Sequence, residues 1–221
     1  MNSLLLLLWD EFKGFAKSKI MIALWIGLPI LSIIMHFLQP ATGDFPISLL
    51  TGIFVASVGG LLAAVILSST MVNELGANVY DLYLIRPVKR WQIIVSKYIA
   101  VMISLIIAVF LSFAAGLIVD SIRGMVPTGI FLRFVLDSII MAIASMSIAC
   151  AAGLFLGLVI KSVALAVILS IYLGQQLSLV AILPGVLSPS IDPLWFSIGV
   201  GIAATVVILA AGIFVYQKKQ F

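Results

Sequence analysis

The sequence predicts an all-α integral membrane protein. It is expected to be a single transmembrane domain over 1–221, with six transmembrane helices, an N-terminal interfacial helix and a cytoplasmic helix between spans two and three. Three observations lead there. Hydrophobic residues make up 64% of the chain and charged residues 9%, whereas a soluble domain carries about 45–50% apolar and about 25% charged residues. The apolar residues fall in long unbroken runs, each of the roughly 20 residues that a helix needs to cross the hydrocarbon. The basic residues gather beside alternate ends of those runs. Such a composition cannot cover a solvated surface, and it leaves little for a soluble catalytic domain. A β-barrel is excluded as well, because its strands alternate apolar and polar residues and these runs do not. In hydrocarbon every backbone group must be paired within the segment, so the spans are helical.

The first element covers 2–18. Leu5, Leu8, Phe12 and Phe15 recur at three- and four-residue steps while Asp10, Lys13 and Lys17 line another side, the period of an amphipathic helix. With Trp9 at its boundary it reads as a helix lying in the plane of the interface. No positive charge precedes Leu4, and no small-residue cleavage site follows, so this segment is not expected to be a removable signal. The spans follow at about 20–38, 47–71, 91–119, 130–160, 162–183 and 194–216. The third and fourth exceed a bilayer's thickness, and are expected to tilt or to project into the headgroups.

The charges orient the chain. Lys13, Lys17, Lys19, Arg86, Lys89, Arg90, Lys97, Lys161, Lys218 and Lys219 fall on one side, and Arg123 and Arg133 on the other. The loops are short, so the positive-inside rule applies and both termini are expected in the cytoplasm of a multi-pass cell-membrane protein. The basic excess is explained by anionic lipid, with no call for nucleic acid. The external connections, 39–46, 120–129 and 184–193, are punctuated by Pro and Gly as turns. The internal connection at about 74–86 differs. Leu75, Val79, Leu82, Tyr83 and Arg86 lie near one helical stripe, Asn78 and Asp81 on another side, and Pro87 ends the helix.

No catalytic constellation is present. His36 is the sole histidine and Cys150 the sole cysteine, so neither a metal site nor an internal disulfide is expected. There is no phosphate loop or dinucleotide fingerprint, and no cofactor is expected. Asp137 stands four residues after Arg133 on span four, so an ion pair is available. An intramembrane carboxylate is costly, and Asp137 is therefore a candidate for a structural pair, for a translocation path or for a proton relay, the last without a second buried carboxylate within a helix to accept the proton. Gln175 and Gln176 are adjacent in span five, and at least one should meet another helix or a cavity. Ala149, Gly153 and Gly157 have a small-xxx-small spacing suited to close helix contact, within the bundle or in a dimer. The amphipathic segment at 74–86 can lie on lipid or dock in a partner's groove. Glu74 and Asp81 would then meet basic groups, and Tyr80 or Tyr83 would anchor the contact.

At this segment the chain resembles the membrane subunits of type-2 ABC exporters. The residues that carry the resemblance are Glu74 and Gly76 after span two, Leu82 to Ile85, Pro87-Val88-Lys89-Arg90, and Ile93, Ile94 and Lys97, together with the N-terminal helix and Gly27-Leu28-Pro29. The inserted Leu75, and Ala77 where a threonine is usual, depart from the pattern. The resemblance implies six spans with cytoplasmic termini, and two permease subunits, identical or paralogous, paired with separate cytoplasmic ABC ATPase subunits. It implies that ATPase coupling falls to 74–86, chiefly Glu74, Tyr80, Asp81, Tyr83 and Arg86. ATP hydrolysis is then expected in the partner, and the chain itself is expected not to be an enzyme. It would move a small or lipophilic compound. An ion-coupled secondary transporter and a non-transporting membrane scaffold are the alternatives that the residues leave open.

Overall fold

The computed structural model describes residues 3–38, 47–77, 90–122, 129–187 and 192–218. All regular structure among them is helical: α1 (Ser3–Ala16), α2 (Lys19–Leu38), α3 (Ile47–Gly76), α4 (Arg90–Ile122), α5 (Gly129–Val159), α6 (Val163–Leu187) and α7 (Pro193–Lys218). Five are long and apolar enough to cross a membrane over their described residues, namely α3 through α7. The pair α1 and α2 meets the same test only taken together, and is bent by 67° at its break. The expected coupling helix lies outside the described residues from 78 onward, as do most of the external connections.

The bend between α1 and α2 has a local cause. The Lys17 amide still bonds to the Lys13 carbonyl at 3.2 Å, but the Ser18 amide closes a tighter turn onto Phe15 at 2.9 Å. The Ser18 carbonyl then accepts from the Ile22 amide at 3.1 Å and starts α2. Serine is a preferred residue at such a boundary. At 14 residues, α1 is too short to cross a bilayer alone. It lies against α4 and barely touches α2. Its inward face keeps Leu8, Phe12 and Phe15 of the apolar stripe read in the sequence but is turned toward Leu7 and Glu11 and away from Leu5. Leu7 is buried, with Leu8, Glu11 and Phe15 partly so, while Leu5 and Trp9 are exposed. A carboxylate thus sits where the period alone would place a hydrophobe.

The bundle is centred on α3 and α5, which share the most extensive interface in the molecule. The small residues explain it. A methyl group added at Gly153 would fall 2.6 Å from the Ala64 Cα, and one at Gly157 would fall 2.8 Å from the Ser68 carbonyl oxygen. One turn earlier, Gly60 faces the Ala149 Cβ at 3.5 Å. Both series advance by four in the same direction, so the two helices run parallel with their backbones in contact. The small-xxx-small series of α5 is therefore spent inside the bundle. Gly174 brings α6 onto the same seam at Ala64 and Ala149, and Gly201 brings α7 against Ala144. Both outer helices leave much of their surface uncovered. Buried serines are tolerated because they bond to carbonyls of their own helix, as Ser68 does to Val65, Ser96 to Ile93 and Ser145 to Ala142.

On the other side, α2 rests on α4. The Trp25 indole donates to the Ser104 carbonyl at 2.9 Å, and the Ser112 hydroxyl donates to the Leu28 carbonyl at 3.1 Å. The second bond stands beside Pro29, which interrupts the backbone ladder of α2.

Candidate functional site

Glu74 belongs to the last turn of α3. The helix runs on past the expected end of span two to Gly76, so Glu74 does not begin a separate helix. This extension carries the carboxylate to Lys97, in the second turn of α4. The Lys97 ammonium donates to Glu74 Oε1 at 2.7 Å and to Glu11 Oε1 at 2.8 Å. These are short, charge-assisted bonds. The side chains of Lys97, Glu11 and Glu74 are 2%, 11% and 22% exposed, so the cluster is closed toward Lys97 and opens at Glu74. One lysine on α4 thereby joins the N-terminal helix to the end of α3, three elements separated in the sequence.

A cavity of about 370 Å³ adjoins the cluster, lined by Asp10, Gly14, Phe15, Ser18 and Thr70 as well as the three ionic residues. Gly14 leaves its wall open, since nothing lies within 4 Å of where a side chain would start. Burial pushes the Glu11 carboxyl up from its ordinary range. The charge and hydrogen bond of Lys97 pull against this, and the nearby charges of Glu74 and Asp10 add to the rise. The site can hold three helices together while presenting carboxylate to the surface from which the chain leaves α3.

Reading the sequence alone left two members of this cluster unassigned to a site. Lys97 entered the count of sides and the family resemblance, and Glu11 was given no role. The signal was available in Lys97: seven residues beyond Arg90 it stands about 10 Å into an apolar helix, and a charge at that depth requires a partner. Tyr80, Asp81, Tyr83 and Arg86 lie outside the described residues.

The remaining candidates separate into two places. Arg133 and Asp137, near the start of α5, line a cavity of about 410 Å³ with Met141, Asp192, Leu194 and Trp195. They share this cavity without forming an ion pair with each other, so the pairing that their spacing allows is not used. Gln175 and Gln176 lie on α6, and neither lines that cavity. Gln175 is partly buried while Gln176 is exposed near the middle of its helix.

A family model described as ABC-2 family transporter protein matches residues 7–176. The matched stretch begins in α1, contains all three members of the ionic cluster and ends in α6. No curated protein matches the chain's sequence. Permeases of this family are transport subunits that are not themselves catalytic, and they work with ABC ATPase subunits. The long apolar helices, the absence of strands among the described residues and the matched region agree, and the chain belongs to the ABC-2 family of membrane transport proteins.

Proposed function

We propose that this permease is one half of the membrane pathway of an ATP-driven exporter in the cell membrane, carrying a small or lipophilic compound and powered by separate cytoplasmic ABC ATPase subunits. In this reading α2 through α7 are six spans, both termini are cytoplasmic and α1 lies at the interface. The segment 74–86 is where the ATPases push, with Glu74, Tyr80, Asp81, Tyr83 and Arg86 as the contact residues. Two copies, or this chain and a paralogue, enclose the path. Arg133, Asp137, Gln175 and Gln176 are its polar candidates.

The observation that carries this reading is the Lys97 bridge to Glu11 and Glu74. A force applied just beyond Gly76 meets a helix end tied by charge to α4 and, through Lys97, to α1. Motion of the coupling segment is then shared by three helices instead of being lost in a loose loop. The parallel, close-packed α3 and α5 offer a stiff column to carry it through the bilayer.

The test is co-purification with an ABC ATPase from the source membrane, followed by ATP turnover with and without the permease in lipid nanodiscs. Assembly should raise turnover, and alanine at Tyr80 and Tyr83 together should weaken co-purification while the permease stays folded. A permease that engages no ATPase under these conditions overturns the proposal.

A further inference from the structure

A third cavity lies between α4, α5 and α7. Its volume is about 340 Å³, within the range of about 300–1,000 Å³ in which proteins hold small ligands. Its walls are aliphatic, with Ile143 of α5 and Ile202 and Val206 of α7 among them. Ile202 and Val206 are largely exposed on the outer side of α7, so the cavity opens toward the hydrocarbon. What enters comes from the membrane.

Three hydroxyls meet in this apolar space. The Ser147 hydroxyl donates to the Ala144 carbonyl at 2.7 Å, so the 3.1 Å contact between Ser147 and Thr205 has Thr205 as the donor. The Tyr98 hydroxyl reaches the Ser147 carbonyl only at 3.4 Å, well beyond the distance of about 2.7–2.8 Å typical for such donors. It also lies within hydrogen-bonding reach of Thr205. A phenol proton held so loosely is available to a better acceptor, and the hydroxyl oxygens retain lone pairs for a donor. Thr205 stands midway along α7, and Ser147 in the middle third of α5. Tyr98 is about 12 Å into α4. The polar end of the cavity therefore lies within the apolar lengths of α5 and α7, about three turns or more from either end of each helix.

That depth selects the occupant. A phospholipid keeps its polar group at the headgroup level, so its acyl chain would lay hydrocarbon against all three hydroxyls. A molecule that is apolar over most of its surface and carries one hydroxyl satisfies the cavity better. Its oxygen accepts from Tyr98, its proton goes to a lone pair of the Thr205 hydroxyl, and its body fills the aliphatic slot. We infer that this cavity is a binding site within a single subunit for a lipophilic alcohol reached sideways from the membrane. The inference rests on the reading of the chain as a permease for lipophilic substrates.

The experiment uses the full chain alone in phosphatidylcholine nanodiscs, without ATPase or nucleotide. The probes are a long-chain fatty alcohol bearing a diazirine and the matched diazirine alkane, with photolabelled peptides identified by mass spectrometry. Labelling of α5 and α7 at the cavity should saturate with the alcohol. The alcohol should be favoured over the alkane by about fivefold, the worth of one net hydrogen bond. Thr205→Val keeps the side chain's shape and should bring the alcohol down to the level of the alkane. Ile202→Trp, at an exposed position on the cavity mouth, should remove saturable labelling by both probes, and it serves if Thr205→Val does not fold. Equal labelling by both probes, unaffected by Thr205→Val, overturns the site and leaves a lipid-facing groove. Labelling that never saturates overturns it too. Because no ATPase takes part, loss of this site with ATPase engagement intact sinks the inference alone. Intact labelling in a permease that engages no ATPase sinks the exporter reading alone.

Discussion

Replacing Lys97 by Met tests the ionic junction most directly. Methionine keeps an unbranched chain in the buried channel of α4 but removes the ammonium that stands between Glu11 and Glu74. Breaking a buried ion pair by deleting one partner costs about 3–5 kcal/mol. Glu74 is 22% exposed and retains some water, which places the cost near the lower end, about 3 kcal/mol. For a chain of this length a kcal/mol shifts the unfolding midpoint by about 2–4 °C, so a drop of roughly 6–12 °C is expected. The molecule supplies its own probe. Cys150 is the sole cysteine and is fully buried at the heart of α5, so a fluorogenic maleimide reports opening of the bundle as purified protein is heated in detergent. Lys97→Met combined with Glu11→Gln and Glu74→Gln should recover more than half of the loss, since a neutral hydrogen-bonding cluster has no uncompensated charge. Lys17→Met, at an exposed position, should leave the midpoint unchanged. A midpoint for Lys97→Met within about 2 °C of the parent, or a triple variant no better than the single one, refutes the reasoning.

The seam between α3 and α5 should be as sensitive to volume. Gly153→Ala places a methyl group against the Ala64 backbone, which has no flexible end to yield, and should lower stability by about 1–3 kcal/mol in the same thiol assay. Gly14→Ala has open space around it and should lower it by none. Asp137→Asn should leave ATP-driven transport in inverted vesicles intact, as should an uncoupler while ATP is supplied; loss of transport on both would instead point to ion coupling through the cavity of Arg133 and Asp192. Gln176 presents an amide to the outside of α6 near mid-span, beside exposed Tyr172, so Gln176→Leu should weaken self-association of the permease in nanodiscs by about fivefold or more, the worth of an interhelical amide bond in model membrane helices. Crosslinking yield measures it, and an unchanged yield places the partner surface elsewhere.

The long apolar runs were enough to place the helices among the described residues, because hydrocarbon leaves the backbone almost no freedom. The observed ends fall within a few residues of the expected spans, and the largest departure is instructive. Span two was expected to stop near Met71, where Asn73 and Glu74 break the apolar run, yet α3 continues to Gly76. Polar residues end a hydrophobic segment without ending a helix, and Glu74 is supported there by a lysine 23 positions away that no local pattern reveals. The face of α1 was read only in part. Leu8, Phe12 and Phe15 of the expected stripe are partly buried, but Leu5 is exposed, and the docked face also takes in Leu7 and Glu11, whose carboxylate is bonded to Lys97. Arg133 and Asp137 show the converse, with local spacing offering a pair that the wider surroundings leave unmade. The hydroxyl cavity was invisible because Tyr98, Ser147 and Thr205 come from three helices and carry no motif.

The bridge from Glu11 to Lys97 also bears on how the protein is made. Its two ends are 86 residues apart, and at about 5–20 residues per second the second follows the first by about 4–17 s. Through that interval α1 has left the ribosome with its carboxylate unmatched, because α4, which carries the lysine, has not yet been made. In the meantime the exposed Trp9, stacked on Phe12 at 6.4 Å and covered by the Lys13 ammonium at 5.0 Å, gives the helix contacts within its own sequence. The bond that holds α1 to α4 can therefore close only after Lys97 has been made.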